Sequence, residues 1–297
     1  MTGIKRVGWI AMSVVVLLAA LCVQVVCTIV VVFPYAMMEG FKAASTGRGQ
    51  QEIMDSVMSG MGDIVGIILV VVGVLLLVVF IPWFYFGCGR PKISQESAKR
   101  VFAPRTLIVV VIIAAGLNYG INCLLQIVYT LVPQALESYQ ELMETAGLGV
   151  NGWANAAAVI LAPLGEELIF RGVAFHYARR AVSGMGNAKV EFWIANIVQA
   201  LLFGIYHMNL VQGIYAFFIG LALGYLCQRY CSVIPGMLAH LVFNGMSTLF
   251  DGVMYAWIPE SLVWYGVIGG VGIALVLAVI ILNGSPTAGN EQNIAQS

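Results

Sequence analysis

Apolar runs about as long as a bilayer is thick follow one another along this chain, separated by short polar segments. A helix rises about 1.5 Å per residue, so roughly 20 apolar residues cross a hydrocarbon core. Eight runs meet that standard, at 7–33, 64–87, 106–133, 153–177, 190–208, 211–229, 232–250 and 261–283. Between them the pattern predicts a polar loop at 39–63, a basic loop at 89–105, very short connections through 190–250, and a polar tail from Gly284. The expected fold is therefore all-α, a polytopic integral membrane protein with eight spanning helices. It divides into N-terminal helices (1–150), a polar helical core (151–250), and a last helix with its tail (251–297). Lys5-Arg6 precedes a first run longer than a signal-peptide core, with no small-residue cleavage site, so this run reads as a retained span.

Composition supports the same picture. The chain is 61% hydrophobic and 9% charged, against about 25% charged in soluble domains. Its net charge is zero, and with no basic stripe and no soluble domain of any size, nucleic-acid binding is excluded. The distribution of charge is more telling than its sum. Placing the N-terminus inside collects Lys5, Arg6, Arg90, Lys92, Lys99, Arg100, Arg105, Arg179, Arg180, Lys189 and Arg229 on the inner side, against Lys42 and Arg48 outside. That bias predicts cytoplasmic termini, which an even number of spans requires. Compact loops without eukaryotic targeting signals point to a multi-pass protein of a bacterial cell membrane. Oligomeric state is not legible.

Two kinds of small residue have a structural reading. The six cysteines lie in or beside apolar runs without CxxC or Cys/His spacing, so they read as packing residues. Gly220 and Gly224 form GxxxG, and Gly266, Gly269, Gly270 and Gly272 crowd the last span; both sets predict close helix contact.

One apolar run breaks the rule. Pro163-Leu-Gly-Glu166-Glu167-Leu-Ile-Phe-Arg171 places three charges in the fourth span, and each unpaired charge at mid-membrane costs about 2.5–3.5 kcal/mol. Glu167 and Arg171 are four apart in the favourable order for a helical pair. Glu166 points about 100° away and needs partners from other helices. Two histidines offer them. Phe203 and His207 share one helical face, and His240 and Asn244 share another. Buried imidazole and amide groups need hydrogen-bond partners in lipid, so the economical arrangement gathers Glu166, His207, His240 and Asn244 around one water-accessible cavity. His176, near the inner end of its span, reads as a packing histidine, and Phe170 and Phe203 as packing rings.

A carboxylate in a partly apolar cavity is a general base suited to water near neutral pH. Imidazole and amide N–H groups can donate to a developing oxyanion. Together they would hydrolyse an amide with no covalent nucleophile and no cofactor. Alternatively, Glu166, His207 and His240 are candidate ligands for a divalent metal such as zinc. Neither HExxH nor GxSxG is present. Two non-hydrolytic readings stand beside these: an immunity or scaffold protein that binds a peptide or protein partner, and a proton-coupled transporter. The second predicts paired repeats, which the chain halves do not show.

The ordered trio Glu166-Glu167-x-x-x-Arg171, Phe203-x-x-x-His207 and His240-x-x-x-Asn244 resembles the signature of the CPBP family of membrane proteins. That family contains the CAAX prenyl endopeptidases and bacteriocin-processing or immunity proteins. The resemblance spans about residues 153–250. It implies an intramembrane endopeptidase acting on a membrane-associated peptide or protein, in which Glu166 activates water with help from His207. His240 and Asn244 would form the oxyanion pocket, with Glu167 and Arg171 in support. Members are described both as glutamate-type and as metal-dependent. A prenylated substrate is not specified by these residues. One expectation conflicts with the rest: counted at about 1.5 Å per residue, Glu166 and His240 lie about 21 and 18 Å below the outer face, but His207 only about 5 Å.

Overall fold

The computed structural model describes residues 2–46, 49–88 and 95–284, and among these every regular element is helical. In order they are α1 (Gly3–Ser45), α2 (Gln50–Pro82, prolonged by a π turn at Trp83–Gly87), α3 (Gln95–Val101), α4 (Pro104–Leu131) and α5 (Glu137–Thr145). Then come α6 (152–182), α7 (Ala188–Tyr206), α8 (Leu210–Tyr230), α9 (Ile234–Leu249), α10 (Asp251–Met254) and α11 (Leu262–Asn283). Six of these helices are long and apolar enough to cross a membrane by length and composition: α1, α2, α4, α7, α8 and α11. The two others that coincide with predicted spans, α6 and α9, are the ones that carry the acidic pair and the His240/Asn244 motif. At 16 residues α9 is about 24 Å long, shorter than the hydrocarbon core.

The predicted polar loop at 39–63 is mostly helix, since α1 runs to Ser45 and α2 begins at Gln50. Gln50-Gln-Glu-Ile-Met is built of good helix formers, and Glu52 complements the positive end of the helix dipole. Arg48, Arg90, Lys92 and the tail beyond Gly284 lie outside the described residues.

Arginines tie the helix ends together at one face. Arg6 Nη1 donates to Ala181 O at 2.8 Å, Arg100 Nη2 to Arg229 O at 2.7 Å, and Arg229 Nε to Asn283 O at 3.0 Å. Each cation satisfies carbonyls that a helix C-terminus leaves open. The start of α1 and the end of α11 therefore share a face with the ends of α6 and α8.

α6 is the wall between two apolar clusters. Leu168, Ile169, Phe170 and Val173 pack with α1, α2 and α7, while Phe175, Ala178 and Val182 pack with α4, α7 and α8. It also ends later than predicted, at Val182 rather than 177, and this brings the counted depths of Glu166 and His207 together. Counted from the shared face, Glu166 lies sixteen residues before Val182 and His207 nineteen after Ala188, or about 24 and about 28 Å at the helical rise.

Candidate functional site

The geometry of the site starts with Pro163. A proline inside a helix lacks an N–H and crowds the carbonyl four residues back. Just ahead of it α6 widens into a π turn, Ala157–Leu161, where the Ala162 N–H bonds to Ala157 O. In that register the Ala158 carbonyl would take the N–H of residue 163, which proline does not have. The Asn244 side chain supplies the donor instead, with Nδ2 2.8 Å from Ala158 O. A second wide segment, Glu167–Ala174, follows after the α turn Ala162–Glu166, and the hydroxyl of buried Ser13 on α1 donates to its last carbonyl, Ala174 O, at 3.1 Å. Such π segments are rare inside α-helices and frequent at functional sites.

The two glutamates have different surroundings. Glu167 is fully buried, and its Oε1 receives Arg171 Nη1 at 2.8 Å and His240 Nδ1 at 3.0 Å. Glu166 is buried except for a sliver of its side chain, with Oε2 3.7 Å from His240 Nε2. That separation is longer than a direct hydrogen bond. One imidazole from α9 thus spans both carboxylates, one ring nitrogen on each. The expected Glu167–Arg171 pair is present, and it has an unforeseen third member in His240.

Phe203 forms the wall that joins the remaining groups. Arg171 Cζ lies 4.2 Å from its ring centroid, a cation–π contact between two buried side chains. Its centroid is 4.9 Å from that of His207 and 5.8 Å from that of His240. His207, directly after the last turn of α7, packs its ring on Phe203 and Tyr206. The four residues expected to converge arrive from α6, α7 and α9, with Glu166 and His240 face to face. Asn244 is fixed on the α6 backbone, and His207 reaches the cluster through Phe203. His176 lies two turns beyond Glu167 against Tyr177, with ring centroids 5.5 Å apart, apart from this cluster.

Close backbone approach lets the pieces fit. A Cβ at Gly236 of α9 would stand 2.7 Å from both Glu167 Oε2 and Cys227 Sγ, so only glycine leaves room beside the buried acid. Two residues of this region escaped the sequence reading. Asn196 and Gln199 of α7, both fully buried, donate to Leu221 O at 3.0 Å and Gly220 O at 2.9 Å. The Gly220/Gly224 motif thus admits polar amides as well as packing backbones. Their signal was the stripe Asn196, Gln199, Phe203, His207, spaced by three, four and four on one helical face.

Among the described residues no group of three or more His, Cys, Asp and Glu side chains is arranged to hold a metal ion, Glu166, His207 and His240 included. All six cysteines are free thiols.

Residues 150–246 match the family model for type II CAAX prenyl endopeptidase Rce1-like proteins. The matched segment covers about a third of the chain. All seven residues named in the trio fall inside it, and the match agrees with the CPBP resemblance. No curated protein and no solved structure matches the chain. The matched segment comprises α6 to α8 and most of α9, with α1, α2, α4 and α11 packed around it.

Proposed function

We propose that this multi-pass membrane protein is an intramembrane endopeptidase that cleaves a membrane-associated peptide or protein through a water activated by Glu166. The supporting observation is His240 set between two carboxylates inside the segment that matches the Rce1-like model, 3.0 Å from Glu167 and 3.7 Å from Glu166. Glu167 accepts the Nδ1 proton of His240 and so holds the ring with Nε2 toward Glu166.

The reaction then runs in two steps. Glu166 removes a proton from water, and the hydroxide oxygen adds to the scissile carbonyl carbon. The charge that develops on the carbonyl oxygen is met by the second N–H of Asn244 and, in the imidazolium form, by Nε2–H of His240. Glu166 returns its proton to the amide nitrogen as the C–N bond breaks, leaving a carboxylic acid and an amine, and the acid's proton passes to the amine to give carboxylate and ammonium. His207, across Phe203, assists Glu166 in holding the water. Arg171 pairs with Glu167 and holds it in place.

Among the described residues Glu166, His207 and His240 are not arranged as a three-ligand metal group. In the bilayer, α6 and α9 complete an eight-span bundle with both termini cytoplasmic, in keeping with the arginine-rich face. A bacterial plasma membrane is the proposed location. The direct test uses purified protein in liposomes with a quenched peptide library, comparing wild type with E166Q, with and without chelator. Cleavage by wild type that resists chelator and vanishes in E166Q is expected. Equal cleavage by both proteins would remove Glu166 from its role, and loss on chelation would replace the mechanism with a metal one.

A further inference from the structure

We propose that Pro163 is a positioning residue for Asn244, acting by withholding the backbone N–H that would otherwise occupy the Ala158 carbonyl. The inference rests on the reading of Asn244 as an oxyanion donor and adds the device that aims it. The first observation is the register: the Ala162 N–H is spent on Ala157 O, so only residue 163 could serve Ala158 O from the backbone, and it is proline. The second is the occupant, since Asn244 Nδ2 donates to that oxygen at 2.8 Å from a different helix.

The consequence follows from the chemistry of the amide. Rotation about the last bond of asparagine is broad and nearly two-fold, so the oxygen and nitrogen ends readily exchange. Against a lone carbonyl acceptor only the NH2 end can face inward. One N–H is then fixed on Ala158 O, and the other points where a substrate oxyanion needs a donor. With an N–H at position 163, Ala158 O keeps a second lone pair. The anchor is then weakened rather than lost, and the amide samples the flipped state, which presents an oxygen to an oxyanion.

The test compares P163A, P163V, N244A and P163A/N244A on a quenched peptide in liposomes, with kcat, KM and melting temperature measured for each. P163A should lower kcat roughly ten- to hundredfold at unchanged KM, the scale expected when a catalytic group is misplaced. It should melt no lower than wild type, because a mid-helix proline has been replaced by the best helix former. In the N244A background the same substitution should change kcat less than twofold. A merely structural proline would leave kcat alone. Wild-type kcat in P163A, or an equal loss with and without Asn244, overturns the proposal. So does a lower melting temperature in both P163A and P163V, which would show that the ring itself is needed. Wild-type kcat in N244A would instead remove the oxyanion reading, and this inference with it.

Discussion

Helices α6 and α11 both lie in the bundle yet are held in opposite ways. α11 is regular and uncharged over Leu262–Asn283, and most of its surface faces outward. It docks on α4 by close approach at glycines, with Val276 and Ile273 lying over Gly116 and Gly120: a Cβ at Gly272 would fall 2.6 Å from Gly116 O, and one at Gly269 3.0 Å from the Cys123 Cβ. α6 is interrupted twice by π segments, and its residues from Pro163 to Phe175 are almost all buried. Its contacts include an ion pair, an imidazole, a cation–π stack and two side chains that serve its carbonyls. In lipid, where apolar contact offers little net drive for association, close packing gives α11 cohesion. α6 gains polar chemistry at the expense of helical regularity.

That contrast predicts substitutions that separate activity from stability. The largest effect belongs to Glu166. E166Q should reduce kcat by roughly 10²–10⁴, the scale of general-base catalysis, while the melting temperature stays near that of wild type, since among the described residues Glu166 has no direct hydrogen bond and His240 Nε2 lies 3.7 Å away. A purified E166Q variant with wild-type turnover would break the comparison at its centre. Glu167 should behave differently. Breaking a buried ion pair by removing one charge costs about 3–5 kcal/mol, so E167Q should cut folded yield sharply. Its folded fraction should also turn over more slowly, because His240 loses its charged anchor; normal turnover in that fraction would reduce Glu167 to a structural role.

On the α11 side the order reverses. G272L should force the α4–α11 pair apart and cost about 1–3 kcal/mol, as overpacking does, with turnover per folded molecule unchanged. A melting curve paired with active-site titration measures both. A drop in turnover as large as the drop in stability would show that the two regions are coupled rather than separable.

The same contrast explains what was legible. Apolar run length alone located α4, α7, α8 and α11 to within a few residues, because in each the helix and its apolar run end together. The chemistry of α6 was legible as residue types, since Glu166, Glu167 and Arg171 have no reason to occupy an apolar run otherwise. Its geometry was not. Tyr177-Ala-Arg-Arg reads as an inner boundary, yet Arg179 donates to Gln228 at 2.6 Å and Arg180 lies 5.1 Å from the Trp9 ring, so the helix continues. The π segments leave the apolar pattern unbroken, so only Pro163 hints at them. That His240 would meet Glu167 as well as Glu166 depends on how α9 is rotated, which spacing along one helix does not report. The 39–63 segment misled for the opposite reason, since polarity marks exposure to water, not the absence of a helix.

The smallest predicted effect tests how much slack the acid pair has. Gly236 sits where α9 passes Glu167, and an alanine methyl there would lie 2.7 Å from Oε2, closer than real Cβ contacts come. Either Glu167 rotates or α9 shifts outward, and each movement carries His240 away from Glu166. G236A should therefore lower kcat by about tenfold, equivalent to 1.4 kcal/mol, with KM held because the substrate surface is untouched. Alanine at Gly270 of α11, where an added Cβ meets nothing within 4 Å, should leave both constants unchanged. Equal, negligible effects at the two glycines would mean that α6 accommodates a methyl group as easily as α11, and that its polar contacts are not tightly set.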